Sequence, residues 1–198
     1  MALKNNRKPV YGVGINDFPT STNIDGKDMW EYQLWVGMLR RGYDEAYKSR
    51  NKTYKECSVE EYLHSFTNFY NHIKTMIGYD DYQNNFELDK DLLVNGNKCY
   101  SRDTIVFVPK EINSFLVNSK GSGALPVGVS LCVLAEKTRY KARIRKGDKR
   151  EYLGLYDTPE QAYQAYLIEK KSYAKVLADK WKDKIDIRVY NVLLNYTE

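Results

Sequence analysis

Basic side chains occupy every second position of one short stretch of this 198-residue chain. These positions are Arg139, Lys141, Arg143 and Arg145, and the residues between them are aromatic or aliphatic. Because side chains alternate between the two faces of a β-strand, a strand here would present all four cations on one face. A row of cations can bind the phosphates and the guanine edges of DNA. The stretch therefore predicts a strand that binds nucleic acid.

The distribution of charge along the chain points to the same region. The whole chain has a net charge of +5, from 31 basic and 26 acidic side chains. Residues 1–116 contain 15 basic and 16 acidic side chains, whereas residues 117–198 contain 16 and 10. We predict a DNA-binding set in the C-terminal part, which consists of Arg139, Lys141, Arg143, Arg145, Lys146, Lys149 and Arg150. A solvated basic surface is the alternative interpretation of the same residues.

The elements that would position this set follow from local patterns. Three runs of strand-forming residues cover 127–133, 138–145 and 150–156, and a Lys-Gly-Asp-Lys turn joins the last two. Thr158, Pro159 and Gln161 then have the spacing of a helix cap, so that a long helix is predicted to about residue 183. Residues 185–196 have the pattern of a short amphipathic helix. We predict a three-stranded antiparallel sheet packed on one long helix.

Three spaced pieces of this region, GVS, YKARIR and YLGLYDTPEQAYQAY, also resemble a known family. They are similar to the ethylene-response-factor-type DNA-binding domain of plants, whose relatives are appended to homing endonucleases of phages and bacteria. The resemblance covers about Pro126 to Lys184 and implies that the basic face of the sheet, rather than the helix, reads DNA. The chain departs from the family at 131–133, where a Trp is common and Leu-Cys-Val stands here.

A second pattern lies in the stretch 86–115, FELDKDLLVNGNKCYSRDTIVFVPKEINSF. We predict a strand at 86–94, a turn at Asn95-Gly96, a second strand at 104–108 and a short helix at 110–116. This order of two strands and a helix resembles the ββα-metal motif of HNH nucleases. Together with the helices before it, the stretch resembles phage HNH-type proteins that carry an appended DNA-binding domain.

The HNH resemblance implies a metal site and a catalytic pair. Asp89 and Asn113 would hold the metal, with Asp91 as a further ligand, and Lys90 and Asn97 would occupy the catalytic positions. Oxygen ligands of this kind suit Mg²⁺ or another divalent cation, which would be the cofactor if the chain is catalytic, and no cofactor is expected otherwise.

Lys90 stands where the family has a catalytic histidine. A solvated lysine is protonated at neutral pH and is a poor general base. Lys90 could instead bind phosphate while His64 or His72 supplies the base. Alternatively, the charged residues at 89–91 are solvated groups on an edge strand, and residues 95–97 form an ordinary turn.

Upstream of this stretch, residues 28–76 are predicted to be mostly helical. Trp30, Leu34 and Met38 recur at helical spacing, and Ser58 and Glu61 have the spacing of a capping box. The predicted class is therefore α+β. The predicted domains are an N-terminal arm at 1–27, an HNH-like helical and ββα module at 28–116, a linker at 117–126, and the sheet domain with its C-terminal helix at 127–198.

Composition excludes several other classes of protein. Three widely spaced cysteines and two histidines argue against a disulfide framework and against a zinc knuckle. The first residues lack the apolar core of a signal peptide, and no apolar run reaches the length of a membrane span. We expect a cytoplasmic protein, in the host bacterium if it is encoded by a phage.

Three functions remain open at this point. The first is a phage-type, sequence-specific binder of double-stranded DNA that descends from HNH enzymes and acts as a Mg²⁺-dependent endonuclease or nickase. The second is a catalytically inactive DNA binder on the same scaffold. The third is a phage protein that inhibits a host enzyme or defence system by binding a host protein, which the 18 tyrosines would suit. The sequence predicts no oligomeric state.

Overall fold

The computed structural model describes residues 8–116, 124–134 and 137–197. The chain is α+β, as predicted, and divides into two units, residues 1–107 and 108–198. The boundary lies before the predicted linker, so that the helix at 110–116 belongs to the second unit. Most of that linker, residues 117–123, lies outside the described residues, as do residues 1–7 of the predicted arm.

The first unit is built around helix α1. Its elements are β1 (Asn23–Ile24), β2 (Lys27–Asp28), α1 (Trp30–Tyr43), α2 (Glu45–Arg50), β3 (Ser58–Val59), α3 (Phe66–Ile73), β4 (Phe86–Asp89) and β5 (Cys99–Tyr100). Trp35, Met38 and Leu39 of α1 are fully buried, together with Leu63 and Phe66. The Trp35 indole N–H donates to the backbone carbonyl of Leu63 over 2.8 Å, which leaves no buried donor unpaired on that ring.

The predicted capping box at Ser58 is wrong. Ser58 lies in β3, and its backbone N–H donates to the carbonyl of Lys98, because β3 pairs in parallel with β5. The helix begins later, after Ser65, whose side chain accepts the backbone N–H of Asn68 over 3.1 Å. Strand pairing with a distant segment therefore prevails over a local cap. A local sequence pattern does not reveal such long-range pairing.

The two strands of the predicted HNH-like motif are shorter than expected. β4 pairs with β6 (Val106–Pro109), and helix α4 (Lys110–Leu116) follows β6. β4 ends at Asp89 instead of continuing to residue 94, because residues 90–97 form turns. The segment after those turns, β5, pairs with β3 rather than with β4. The ββα-metal motif is therefore not confirmed.

The second unit contains the predicted sheet. Strands β7 (Val129–Leu134), β8 (Lys137–Lys146) and β9 (Lys149–Tyr156) are antiparallel and lie in the order β7-β8-β9. Helix α5 (Pro159–Trp181) packs on the sheet, with Ala162 against Val129 and Ala142, and α6 (Ile187–Leu194) follows. This part of the fold is confirmed.

The start of α5 has the predicted chemistry. The Thr158 hydroxyl accepts the backbone N–H of Gln161 over 3.2 Å, and Pro159 occupies the first helical turn.

α5 is long, at 23 residues, but it carries many charged side chains. Within the described ranges, no helix combines the length and the apolar character that crossing a bilayer requires.

One carboxylate joins α4 to α5 in the second unit. Glu111 accepts hydrogen bonds from the Tyr173 hydroxyl (2.9 Å), the Lys180 ammonium (2.5 Å) and the Trp181 indole (3.1 Å). Burial alone would raise the pKa of Glu111, but these donors outweigh it and lower the pKa. The same contact raises the pKa of Tyr173 to about 12, since burial and the carboxylate both disfavour the phenolate.

We predict that Glu111 stabilises the second unit at neutral pH and loses this effect in acid. Because its pKa is lower in the folded chain than the ordinary 4.5, its contribution is present above that pH and disappears as the pH falls through the folded-state pKa. Glu111→Gln should lower the free energy of unfolding by about 1 kcal/mol at pH 7, as measured by urea denaturation. The difference from the wild type should shrink below pH 4.5.

The matched control is Asp179→Asn, which removes an exposed carboxylate from α5. It should change the free energy of unfolding by less than about 0.5 kcal/mol. If Glu111→Gln and Asp179→Asn gave the same stability at pH 7, Glu111 would not anchor α4.

Candidate nucleic-acid interface

β8 separates its charged from its apolar side chains as alternation requires. Ala142 and Ile144 are buried on the face that packs on α5. Arg143 and Arg145 are exposed on the opposite face. Arg139 and Lys141 share that outer face and are partly buried. The structure therefore brings the four predicted cations of this strand together.

β7 adds small, uncharged side chains to the same face. Ser130 lies opposite Lys141, and Cys132 lies opposite Arg139. Residues that face each other in an antiparallel pair project to the same side of the sheet. β7 therefore leaves the cations of β8 unopposed and adds little steric bulk beside them.

β9 contains an irregularity that changes which of its residues lie on the outer face. Ala142 pairs with Gly154, but the next residue, Arg143, pairs with Tyr152. Leu153 is therefore the extra residue of a β-bulge: it lies between Tyr152 and Gly154 in β9 and has no partner in β8. Gly154 has φ 139°, which side-chain-bearing residues rarely adopt, and this explains why a glycine stands beside the bulge.

The bulge makes the face uniformly cationic. With regular pairing, Arg145 would lie opposite Glu151, and Tyr152 would project toward α5. With the bulge, Arg145 lies opposite Arg150, and Glu151 pairs with Ile144 on the other side. We call the resulting surface the basic face; it consists of Arg139, Lys141, Arg143, Arg145, Arg150 and Tyr152.

Tyr152 is a member of the basic face that simple alternation does not identify. Its side chain is 58% exposed, although tyrosine is usually partly covered in sheets of this kind. It lies opposite Arg143, near the middle of the cationic row. A glycine inside a strand pattern, here Gly154, is the sequence signal that could have predicted the bulge.

Most cations of the basic face have no acidic partner in the described part of the chain. Lys141, Arg143 and Arg150 make no ion pair there. Arg145 donates through Nε to the carbonyl of Gly147 over 3.0 Å, and its Nη2 lies 3.8 Å from the exposed carboxylate of Asp148. Like charges at neighbouring positions are unfavourable without a counter-ion, so this face has unused capacity for anions.

Lys146 is placed differently from the rest of the predicted DNA-binding set. It pairs with Glu151 at 2.6 Å and with Glu169 of α5 at 2.7 Å, on the helix side of the sheet. Hydrogen bonds to these two carboxylates raise its pKa. Lys149 is exposed and lies opposite Lys146 in the turn. We leave both lysines out of the basic face because neither projects from it.

Lys90 and Asn97, the predicted catalytic pair, bind each other. The Lys90 side chain is only 7% exposed, and its ammonium lies 3.2 Å from both an Asp91 carboxylate oxygen and the Asn97 carbonyl. The Asn97 amide donates to the carbonyls of Lys90 (2.6 Å) and Cys99 (2.7 Å). These contacts close the loop between residues 90 and 97 and account for both side chains structurally.

The predicted metal ligands Asp89 and Asp91 belong to the first unit, and Asn113 belongs to the second. One Asp89 oxygen accepts the backbone N–H groups of Asp91 (2.8 Å) and Leu92 (2.7 Å), which terminates β4. Burial, and then the neighbouring charge of Asp91, raise the pKa of Asp89. Asn113 lies in α4, in the other unit. Among residues 8–116, 124–134 and 137–197, no group of three or more His, Cys, Asp or Glu side chains could hold a metal ion.

The two histidines that could replace the missing base lie elsewhere in the first unit. His64 Nε2 is 2.8 Å from the Tyr43 hydroxyl, a contact that holds the ring in place. His72 is partly buried, and desolvation followed by the charge of Arg102 lowers its pKa. The contact with Tyr43 accounts for His64, whereas the buried Nε2 of His72 has no hydrogen-bond partner within the described residues.

Comparison with known proteins gives no match for the chain. No family model matches it, and no curated protein or solved structure matches it significantly. A functional assignment therefore rests on the physical properties of its own residues.

We predict that Asp89→Asn stabilises the first unit at neutral pH. An asparagine oxygen can still accept the two backbone N–H groups, while the cost of a desolvated carboxylate beside Asp91 is removed. Because the pKa of Asp89 is raised in the folded chain, its ionisation costs stability above the ordinary value of 3.8. The gain in unfolding free energy should therefore be largest near pH 7 and shrink toward pH 4, as measured by urea denaturation.

Asp80→Asn, at an exposed position of the same unit, is the matched control and should leave stability within about 0.5 kcal/mol. Each variant is also melted with and without Mg²⁺. If Mg²⁺ raised the melting temperature of the wild type but not of Asp89→Asn, then Asp89 would be a metal ligand and this structural account would be wrong.

Proposed function

We propose that this chain is a double-stranded DNA-binding protein that contacts DNA through the basic face of its three-stranded sheet. The observation that carries the proposal is the bulge at Leu153, which places Arg150 beside the Arg143 and Arg145 side chains of β8 and moves Glu151 to the other face. A sheet that only needed a soluble surface would gain nothing from this separation of charges. The resemblance to ethylene-response-factor-type domains supports the same assignment.

The dimensions of the sheet suit the major groove. Neighbouring strands lie about 4.8 Å apart, so the backbones of β7 and β9 are separated by about 10 Å. The major groove of B-DNA is about 12 Å wide and accepts a narrow β-ribbon. The small side chains of β7, Ser130 and Cys132, keep one edge of the sheet thin.

The members of the basic face would divide the work of binding. Arg150, on the edge strand β9, is placed to contact a phosphate beside the groove, and Lys141 of the central strand β8 is placed to contact another along it. Arg143 and Arg145 in the same strand are exposed and can contact phosphates as well as guanine edges, which arginine contacts in a bidentate manner. The exposed ring of Tyr152 offers apolar contact to thymine methyl groups and a hydroxyl to a phosphate.

We favour binding over hydrolysis for this chain. The Lys90 Nζ donates to Asp91 and to the Asn97 carbonyl, so this side chain is engaged in closing the loop and is not directed at a water nucleophile. The Asn97 amide is likewise occupied by two backbone carbonyls. Of the alternatives raised by the sequence, the non-hydrolytic DNA binder is the one these contacts support.

We predict that Arg143→Ala combined with Arg145→Ala weakens binding to a duplex by about 10- to 100-fold at low salt. Removing two cations that neutralise phosphates should also flatten the dependence of log K on log salt, by about 0.9 for each phosphate that is no longer neutralised. Fluorescence anisotropy with a labelled duplex, measured across a salt series, checks both effects.

The matched control is Lys171→Ala combined with Lys175→Ala, which removes two exposed cations from α5 in the same unit. This variant has the same net charge as the test variant, so a purely electrostatic attraction would weaken equally in both. The basic face is supported if the control binds nearly as well as the wild type while the Arg143→Ala, Arg145→Ala variant binds more weakly. Equal affinity and equal salt dependence for the two double variants would remove that face from the account.

A further inference from the structure

Apart from Asp148 in the hairpin turn, the described positions on the outer side of the sheet carry one acidic side chain, at the end opposite that turn. Asp157 directly follows β9, and Tyr156 is the residue paired with Tyr140. Continuing this register by one step places Asp157 opposite Arg139. Asp157 is 59% exposed, so it is presented to whatever approaches the basic face from this end.

The Asp157 carboxylate is engaged by two cations of β8. Its Oδ1 lies 3.2 Å from the Lys137 ammonium and 3.2 Å from Nε of Arg139. The hydrogen bond from Lys137, and then the charge of Arg139, lower the pKa of Asp157. The carboxylate is therefore ionised at neutral pH, where DNA binding would be measured.

This arrangement divides the outer side of the sheet into two regions. Of the cations between Lys141 and Arg150, only Arg145 makes an ion pair in the described chain, at 3.8 Å to the fully exposed Asp148 of the hairpin turn. Phosphates can therefore approach this region with little opposition. At Arg139 a phosphate would meet a carboxylate already bound to the two nearest cations, and like charges would repel. A backbone phosphate is therefore disfavoured at this end.

A base edge would meet a different set of groups there. The Arg139 ion pair is made through Nε, so the two terminal nitrogens of the guanidinium can still donate to guanine O6 and N7. The Asp157 carboxylate can accept a hydrogen bond from the N4 amino group of cytosine. Arg139 and Asp157 together match the two halves of one C·G base pair.

We propose that Asp157 is a specificity-determining residue, which rejects phosphate at the Arg139 end of the sheet and selects a C·G pair there. This inference rests on the proposed DNA-binding function and assigns different roles to the two ends of the sheet. The end with Lys141, Arg143, Arg145 and Arg150 supplies affinity, and the Arg139–Asp157 end supplies discrimination. A carboxylate beside DNA lowers the affinity for every sequence, and it is useful only if it lowers the affinity for wrong sequences more.

The test compares Asp157→Asn with Asp179→Asn, which changes charge equally at an exposed position of α5. Circular dichroism first verifies that each variant keeps its fold. Anisotropy over a salt series then gives the affinity for one duplex of arbitrary sequence. Selection from a pool of duplexes with randomised positions, followed by sequencing, gives the base preference at each position.

We expect Asp157→Asn to bind the arbitrary duplex about 3- to 10-fold more tightly than the wild type, because Lys137 and Arg139 are released to phosphates. Its salt dependence should be steeper by about 0.9 for each cation released. In the selection, the wild type should prefer a C·G pair at one position, and Asp157→Asn should lose that preference alone or shift it toward adenine, which asparagine recognises. Asp179→Asn should keep every wild-type preference.

Equal affinity, salt dependence and base preferences for the two variants would overturn the role of Asp157, while the wild type still bound DNA. Failure of the wild type to bind any duplex at low salt would instead overturn the proposed function, and the inference with it. The two failures are therefore distinguishable in one set of measurements.

Discussion

The extra residue of β9, Leu153, decides what the outer side of the sheet presents. The strand alternates regularly on both sides of the bulge. Across the bulge, however, the alternation shifts by one residue, so that even-numbered residues lie on the helix side after Leu153 and on the outer side before it. Tyr152 and Arg150 are thereby turned outward, and Glu151 is turned toward α5, where it meets Lys146. The part of the basic face that β9 supplies therefore depends on one irregularity in backbone pairing, which a glycine at position 154 permits.

The second unit separates two kinds of charge. On the helix side, Lys146 is satisfied by Glu151 and Glu169. On the outer side, Lys141, Arg143 and Arg150 have no acidic partner in the described chain, and Arg145 has only the exposed Asp148 at 3.8 Å, so their mutual repulsion is little compensated. Local arrangements that oppose stability are commonly tied to function. The paired charges hold the sheet on its helix, and the unpaired ones remain available to a polyanion.

The sequence predicts the second unit well because its signals are local: strand alternation, the turn at Gly147, and the Thr158 cap all act within a few residues. Prediction fails where distant segments decide the structure. Ser58 joins a strand because Lys98 and Cys99 lie beside it, which no local cap pattern reveals. Lys90 and Asn97 have residue types suited to chemistry, but their spacing does not show that they bind each other. Tyr152 escapes prediction because regular alternation through Gly154 would place it on the helix side.

The most direct test of DNA binding through the basic face is to map the backbone amide signals of the labelled chain by NMR while duplex DNA is added at low salt. We predict that the largest shifts lie on alternate residues of β8, from Arg139 to Arg145, and on Arg150 and Tyr152. Residues on the exposed side of α5, such as Lys171 and Lys175, should shift little. Shifts concentrated on α5 or in the first unit, with the sheet unaffected, would contradict binding through this face.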